Sequence, residues 1–234
     1  MHTLGVLGGM SWESTVTYYR LLNEGVRDQL GGLHSAPLLL HSVDFAQIAA
    51  MQKSGDWQGA GEALAQAAAG LQNAGATALL LATNTMHKVA PAIEAAVDIP
   101  LLHIGDAVGQ ALQAQGIRKA ALLGTRFTMQ EAFYRDRLSE RFGIEVLVPA
   151  PEAQAEIDRI IFQQLCLGQF PEASQRYYLD CLERLNAQGA EAAILGCTEI
   201  GLLLDGCEAP LPLIDSTHEH VRMGLDWLLA ASIT

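Results

Sequence analysis

Two short apolar runs along the chain follow one pattern. Residues 75–85 and 189–199 align without a gap, 114 positions apart, and each has a glycine, an apolar run and then small polar residues. The apolar runs are too short for helices and are bounded by turn residues, so each predicts a strand buried on both faces. Ligands of parallel sheets bind just beyond the carboxyl ends of such strands. We therefore expect Thr83 and Cys197 at equivalent strand ends, one in each half of the chain.

The remaining hydrophobic pattern alternates between strand-like and helix-like segments. Strands are predicted over 3–8, 37–43, 100–104, 119–124, 144–150 and 211–214. Helices are predicted after Ser11 to about residue 30 and over 57–73, 87–96, 127–142, 153–167, 171–187 and 216–230, with a short helix around 44–53. This alternation predicts an α/β fold with two pseudo-symmetric lobes. Each lobe is expected to be a parallel four-stranded sheet flanked by helices, with Thr83 and Cys197 facing each other. We assign 1–103 plus 214–234 to the N-terminal lobe and 104–213 to the C-terminal lobe.

Composition and charge narrow the class of protein. The formal net charge is −12 and no cluster of Lys or Arg occurs, which argues against a nucleic-acid partner or an anionic membrane surface. No apolar run reaches the length of a membrane span, and no basic-plus-apolar leader opens the chain. The four cysteines lack CxxC spacing, and no spacing of His with carboxylates indicates a metal site. We expect a cytoplasmic protein with reduced thiols and no bound metal.

Cys197 is the strongest nucleophile or base at a predicted strand end. A free thiol has a pKa of about 8.5, and backbone N–H groups at a helix start favour its thiolate. Thr198 and Glu199 begin such a helix, and both are also candidates for binding the substrate. The alternative is a buried structural cysteine, which residue frequencies favour. The matching polar position in the other half of the chain favours the functional interpretation.

Hydroxyl and amide groups accompany both strand ends. Thr83, Asn84 and Thr85 supply hydroxyls, an amide and backbone donors, although the same run is also typical of a helix N-cap. Thr125 and Thr128 follow the strand that corresponds to the first strand of the chain. These groups are candidates for holding a carboxylate, with helix capping as the alternative role.

Two histidines lie near the first strand end but carry weaker signals. His87 comes one helical turn after Thr83, and His103 ends a strand. Histidines at such positions are more often hydrogen-bonded core residues than catalytic groups. We assign both to the core.

Four motifs together resemble the aspartate/glutamate racemase superfamily. They are Leu7-Gly8-Gly9-Met10, Asn84-Thr85-Met86-His87, Leu122-Leu123-Gly124-Thr125 and Gly196-Cys197-Thr198-Glu199, and they run through the full length in family order. The Cys-Thr-Glu ending is similar to that of aspartate racemases. The resemblance implies two lobes with the active site between them, no cofactor, no metal, a small amino-acid substrate and a homodimer. It also adds Met10 to the substrate-binding candidates.

The resemblance implies a mechanism with two acid–base residues on opposite faces of the substrate. The residue that matches Cys197 takes the α-proton of the L-enantiomer, and the family's other cysteine falls on position 83, which is Thr83 here. A hydroxyl is about 7 pKa units less acidic than a thiol, so forming its alkoxide costs on the order of 9 kcal/mol more. We therefore expect conversion mainly from L to D.

The residues that grip an acidic side chain in aspartate racemases are replaced in this chain. The family's Arg after the second strand aligns near Asp44-Phe45, and its late-helix Lys aligns near Cys166. Gln52 is a neutral candidate for contacting the substrate side chain. Aspartate, glutamate or a broader set of amino acids therefore remain as substrates.

Two other functions are compatible with a single cysteine. One is a decarboxylase of the same superfamily that acts on a malonate, and the other is a non-catalytic protein that binds a small carboxylate. Loss of CO₂ from an arylmalonate would identify the first, and thermal stabilisation without turnover would identify the second. The intact motifs around both strand ends favour the racemase.

Overall fold

The protein is an α/β chain that divides into two compact units. The computed structural model describes residues 2–230. One unit is Met1–Ile104 with His220–Thr234, and the other is Gly105–Glu219. The second boundary differs from the division at 213/214 expected from the sequence. The reason is that the strand Leu213–Asp215 pairs with the sheet of the second unit.

The first unit contains one parallel four-stranded sheet. Its strands β1 to β4 have the order β2-β1-β3-β4, and every pair is parallel. The strands are β1 (Leu4–Gly8), β2 (Leu38–Ser42), β3 (Ala78–Leu81) and β4 (Leu101–Leu102), and the helices are α1 (Trp12–Leu30), α2 (Phe45–Ser54), α3 (Trp57–Asn73) and α4 (Ala90–Ala95).

The second unit repeats this arrangement with strands β5 to β8 in the order β6-β5-β7-β8, again all parallel. The strands are β5 (Lys119–Gly124), β6 (Glu145–Leu147), β7 (Ala192–Gly196) and β8 (Leu213–Asp215). The helices are α5 (Ile104–Ala114), α6 (Arg126–Gln130), α7 (Ala132–Phe142), α8 (Pro151–Gln163), α9 (Glu172–Ala187), α10 (Thr198–Leu204) and α11 (Ser216–Ala230). Helix α5 begins in the first unit, and helix α11 ends in it. The predicted fold class, two parallel four-stranded sheets flanked by helices, is confirmed.

Burial explains why the two repeated runs become central strands. Every residue of β1, β3 and β7 is buried, as expected for strands covered by helices on both faces. In the first unit α2 and α3 pack on one face of the sheet, while α1 and α11 pack on the other. In the second unit α8, α9 and α10 contribute to one apolar cluster against the sheet.

The strand order determines which strand ends are neighbours. In each unit the connections that leave the two central strands, β1 and β3 or β5 and β7, run in opposite directions across the sheet. Ligand sites of such sheets lie at this switch point between the two strands. Gly124 is paired with Gly196, so Thr125 and Cys197 follow adjacent strand ends. Leu7 is paired with Leu81, so Gly9 and Thr83 lie in the corresponding positions of the first unit.

Helix bounds differ from the sequence prediction at a few places. The helix expected over 87–96 is a 3₁₀ turn, Thr85–Val89, followed by α4, because Pro91 occupies the first turn of a new helix. The helix expected over 127–142 is broken into α6 and α7 at Glu131, whose backbone is extended. Helix α5 is absent from the segments predicted above, although its apolar residues recur at helical spacing. None of the described helices is long and apolar enough to cross a membrane.

Candidate active site

Cys197 stands at the junction between β7 and α10. It is the N-cap residue of α10, with an extended backbone, and its side chain is half-buried. Its thiol donates a hydrogen bond to Oε2 of Glu199 at 3.0 Å. Glu199 itself is only 7% exposed, so a thiol and a carboxylate share one sheltered site.

This environment favours the protonated thiol. Burial raises the pKa of Cys197 well above its usual value, and the negative charge of Glu199 and the nearby thiol of Cys166 raise it further. The resting state therefore differs from the thiolate that the sequence alone favours. A thiol hydrogen-bonded to a carboxylate carries one negative charge and one mobile proton. Such a pair can accept a proton from a substrate or donate one to it.

Hydroxyl groups from neighbouring elements surround this strand end. The hydroxyls of Thr198 and Thr217 lie 3.3 Å apart, and Thr217 is brought there by the first turn of α11. Asp215, at the end of β8, accepts the backbone N–H of Thr217 at 2.8 Å. Thr217 is not among the residues expected from the sequence, because its run with Asp215 and Ser216 is typical of a helix cap. The sequence signal that could have identified Thr217 is its place two residues after the end of a strand.

Thr125 and Thr128 form a second hydroxyl pair beside Cys197. Their hydroxyl oxygens are 3.1 Å apart, and Thr125 caps α6 by accepting the backbone N–H of Thr128. Thr128 is fully buried beneath the strand ends, where a Cβ on Gly124 or Gly196 would lie 3.2 Å from its side chain. Thr125 is the member of the pair that retains some exposure. Thr128 therefore supports the loop from below.

The corresponding end of β3 carries Thr83, Asn84 and Thr85. Thr83 is half-buried, while Asn84 and Thr85 are 6% and 7% exposed. The carbonyl of Thr83 accepts a 2.7 Å hydrogen bond from Nδ1 of His87, which belongs to the following 3₁₀ turn. The polar run predicted from the sequence thus lies together at one strand end of the first unit.

Gln52 and Met10 flank this strand end from neighbouring elements. Gln52, in α2, is buried and its Nε2 donates to Sδ of Met86 at 2.8 Å, directly after the Thr83–Thr85 run. Met10 is 5% exposed and follows Gly9, whose positive φ of 93° forms the tight turn after β1. Both candidates lie in the unit that carries Thr83. The expectation that Thr83 and Cys197 act on one substrate stays a prediction.

Two buried histidines of the first unit are held by hydrogen bonds within the protein. Within residues 2–230 no group of three or more His, Cys, Asp or Glu is arranged to hold a metal ion. The buried imidazoles of His87 and His220 bond instead to backbone groups and a tyrosine. The chemistry offered by the two strand ends is proton transfer by thiol, carboxylate and hydroxyl groups.

Comparison with known proteins identifies relatives of this arrangement. The family model for Asp/Glu/hydantoin racemases matches residues 7–224. A broad-specificity amino-acid racemase of Bacillus subtilis, RacX, is 28% identical over 156 residues, which span 67% of this chain and 66% of RacX.

Two solved structures are similar over the whole chain. A Yersinia pestis protein proposed to be an Asp/Glu racemase is 49% identical, with a TM-score of 0.92 over 98% of this chain and 100% of that one. An aspartate racemase homologue from Pyrococcus horikoshii is 32% identical, with a TM-score of 0.84 over the full length of both chains. The fold is therefore shared with these proteins.

Proposed function

Because the chain belongs to the Asp/Glu/hydantoin racemase family, a family of isomerases, we propose that it is a cofactor-independent amino-acid racemase. The observation that carries the proposal is the Cys197–Glu199 hydrogen bond at the end of β7. Thr83, at the equivalent end of β3, supplies the second acid–base group. The substrate is a small amino acid, and the reaction runs mainly from L to D.

The first proton transfer begins at the thiol–carboxylate pair. Glu199 accepts the thiol proton of Cys197, and the resulting thiolate takes the α-proton of the L-amino acid. The Cα–H bond breaks, its electron pair stays on the substrate as a planar carbanion, and the thiol is restored. This order is required because the raised pKa of Cys197 keeps the resting thiol protonated.

The second transfer comes from Thr83. Its hydroxyl donates a proton to the opposite face of the carbanion and takes a proton from water as it does so, which avoids a free alkoxide. The D-amino acid is released, and Glu199 returns its proton to solvent. Asn84, Thr85, Thr125 and Thr198 are proposed to hold the substrate carboxylate, where negative charge develops in the transition state.

Thr83 explains the proposed direction. Taking the α-proton of a D-amino acid requires the hydroxyl to act as a base, at a cost on the order of 9 kcal/mol over a thiol. Enantiomers have equal free energies in water, so kcat/KM must be equal in the two directions. The preference is therefore one of kcat at saturating substrate.

Side-chain selectivity is proposed to extend beyond acidic amino acids. Asp44 serves as the N-cap of α2, and Cys166 is a half-buried residue of the turn Leu165–Leu167. Neither supplies the positive charge that an acidic side chain prefers. Gln52, with a neutral amide, can pair with polar or acidic side chains.

We also propose a cytoplasmic homodimer. All four cysteines are free thiols, which fits a reducing compartment. Light scattering during size-exclusion chromatography would test the dimer directly.

Proton NMR in D₂O tests the function. The protein is incubated with a panel of L- and D-amino acids that includes aspartate, glutamate and neutral homologues, and products are separated by chiral chromatography. Loss of the α-proton signal of an L-substrate with accumulation of the D-product would support the racemase. Cys197→Ala should abolish both exchange and inversion, whereas Cys207→Ser should retain them. Exchange and inversion that survive in Cys197→Ala would contradict the proposal.

A decarboxylase is the second candidate, and the presence of one cysteine with Thr83 at the other strand end favours it. Such an enzyme would release CO₂ from a malonate and protonate the resulting carbanion from the thiol of Cys197. CO₂ release from an arylmalonate, together with no α-proton exchange of any amino acid, would favour it over the racemase.

A further inference from the structure

We propose that His87 is a positioning residue that sets the place of Thr83 for the second proton transfer, an inference that rests on the proposed racemase function. His87 is 2% exposed, and its ring nitrogens are both hydrogen-bonded to the backbone. Its contact is with the Thr83 main chain, so it acts through Thr83 rather than on the substrate.

The hydrogen bonds of His87 determine its tautomer. The backbone N–H of Ile104 donates to Nε2 at 3.2 Å, so Nε2 carries no proton. Nδ1 therefore carries the proton and donates it to the carbonyl of Thr83 at 2.7 Å. The neutral ring ties the loop after β3 to the start of α5.

The backbone of Thr83 is held on both sides. Its N–H donates to the carbonyl of Leu81 at 2.8 Å, and its carbonyl accepts from His87. Fixing these two groups limits the rotation of the peptide planes that flank its Cα, and so fixes the direction in which the hydroxyl leaves the backbone. Proton transfer requires this, because a misplacement of about 1 Å can cost on the order of 100-fold in rate.

Further side chains hold the ring of His87 itself. The His103 ring lies edge-on with its centroid 4.4 Å away, and the His220 ring lies 5.7 Å away. His220 bonds the carbonyl of Leu102 through Nε2 at 2.6 Å and the hydroxyl of Tyr18 through Nδ1 at 2.8 Å. Elements α1, α11 and the segment after β4 thus fix the imidazole that holds Thr83.

Two substitutions separate the bond to Thr83 from the bond to Ile104. In His87→Asn the side-chain amide replaces Nδ1 and can still donate to the Thr83 carbonyl. In His87→Gln the amide replaces Nε2, so it can still accept from Ile104 but loses the bond to Thr83. His34→Gln is the matched control, because His34 is exposed and lies outside the cluster.

The readout is the ratio of α-proton exchange to inversion for an L-substrate in D₂O. Exchange reports the Cys197 step, and inversion also needs Thr83. We expect His87→Gln to raise this ratio at least tenfold, and His87→Asn and His34→Gln to stay within about threefold of the wild type. General damage to the fold would lower exchange and inversion together. An unchanged ratio in a folded His87→Gln, or equal impairment in His87→Asn, would overturn the positioning role while the racemase proposal stands.

A double variant tests whether His87 acts through Thr83. When Thr83→Ala is already present, adding His87→Gln should leave the ratio unchanged, since coupled residues are non-additive. An additive effect would overturn the proposal. If the wild type shows neither exchange nor inversion with any amino acid, the proposed function fails, and this inference fails with it.

The tautomer can be measured without any substitution. Long-range ¹H–¹⁵N NMR of the wild-type protein should show His87 protonated at Nδ1 and unprotonated at Nε2. Protonation at Nε2 alone would be incompatible with donation to Thr83 and would overturn the inference.

Discussion

At the scale of single residues, the Cys197–Glu199 contact determines the chemistry of the second unit. Two residues separated by one position lie side by side because Cys197 is extended while Glu199 is already in the first turn of α10. A carboxylate at 3.0 Å makes the thiol a poorer acid. It also provides the group that receives the proton when the thiolate forms.

Removing the charge of Glu199 should lower the pKa of Cys197. In Glu199→Gln the like-charge repulsion is lost while the burial remains, so alkylation of Cys197 by iodoacetamide should begin at lower pH than in the wild type. Racemisation should fall at least tenfold in the same variant, because the proton acceptor is gone.

Peptide mass spectrometry of the alkylated protein resolves Cys197 from the other thiols. Cys207 is the internal control and should react with the same pH dependence in both proteins. A Cys197 profile that moves to higher pH would contradict this account of the pair.

Thr83→Cys should place a thiol at the end of β3, where the wild type has a hydroxyl. A thiol is about 7 pKa units more acidic than a hydroxyl, so α-proton exchange of a D-substrate should rise at least tenfold. Thr83→Ser keeps a hydroxyl and should give no such gain. NMR in D₂O with the D-enantiomer measures both variants, and a cysteine variant no faster than the serine one would exclude Thr83 as the second acid–base group.

At the scale of elements, tight turns after the central strands place the polar residues. Gly9 follows β1 with a φ of 93°, and a Cβ there would lie close to the backbone of Val43, next to β2. Gly8 is similarly covered by Thr15, whose hydroxyl accepts the Gly9 N–H at 2.8 Å. The two glycines thus allow backbone and helix to approach the strand end closely.

Substitution of Gly9 should be far more costly than substitution of a glycine that also has a positive φ but lies in open space. Gly55 ends α2 in the left-handed conformation with a φ of 78°, and no heavy atom lies within 4 Å of the position that a Cβ would take, so Gly55→Ala should cost only about 1–2 kcal/mol. In Gly9→Ala the new Cβ also overlaps the Val43 backbone, and overpacking of this kind costs about 1–3 kcal/mol more in the free energy of unfolding. Urea denaturation of both variants measures the difference in the free energy of unfolding. Equal costs would show that the turn after β1 can relax.

At the scale of the whole molecule, the chain returns to its first unit at the end. Helix α11 begins in the second unit, and its residues from His220 onward belong to the first. There Val221 and Leu228 pack on the sheet face that α1 also covers. His220 is fully buried at this point and bonds Tyr18 and Leu102.

His220 should make the protein less stable in mild acid. Burial lowers its pKa to about 4, whereas the unfolded value is about 6.5. The unfolded chain therefore binds the extra proton first, so the free energy of unfolding falls as the pH drops from about 6.5 towards 4, by about 3 kcal/mol in total. Above a pH of about 6.5 this contribution is fully present.

Urea denaturation at a pH of about 7.5 and again at about 4.5, on either side of the unfolded-state pKa, measures this effect. His220→Asn lacks the titrating ring and should lose less stability between the two pH values than the wild type. His34→Gln should behave as the wild type does. A wild type and a His220→Asn variant with the same pH dependence would mean that His220 does not contribute.

The sequence by itself determined the fold class and the order of the motifs. The repeated runs ending at Thr83 and Cys197 predict buried strands because an apolar run of that length, bounded by turn residues, can be covered on both faces only as a central strand. The same local pattern identified most helices. The prediction omitted α5, and it was wrong at Glu131, where an extended residue divides one helical pattern into two helices.

The tertiary structure alone decided the states of the site residues. Burial and the Glu199 carboxylate keep Cys197 protonated, and both depend on how α10 packs rather than on the residue types. Likewise the sequence predicts His87 to be a core histidine, and only the structure shows that its two ring nitrogens are hydrogen-bonded to the backbone of Thr83 and of Ile104. Proton affinities and hydrogen-bond partners depend on burial and on distances in three dimensions, and a one-dimensional pattern contains neither.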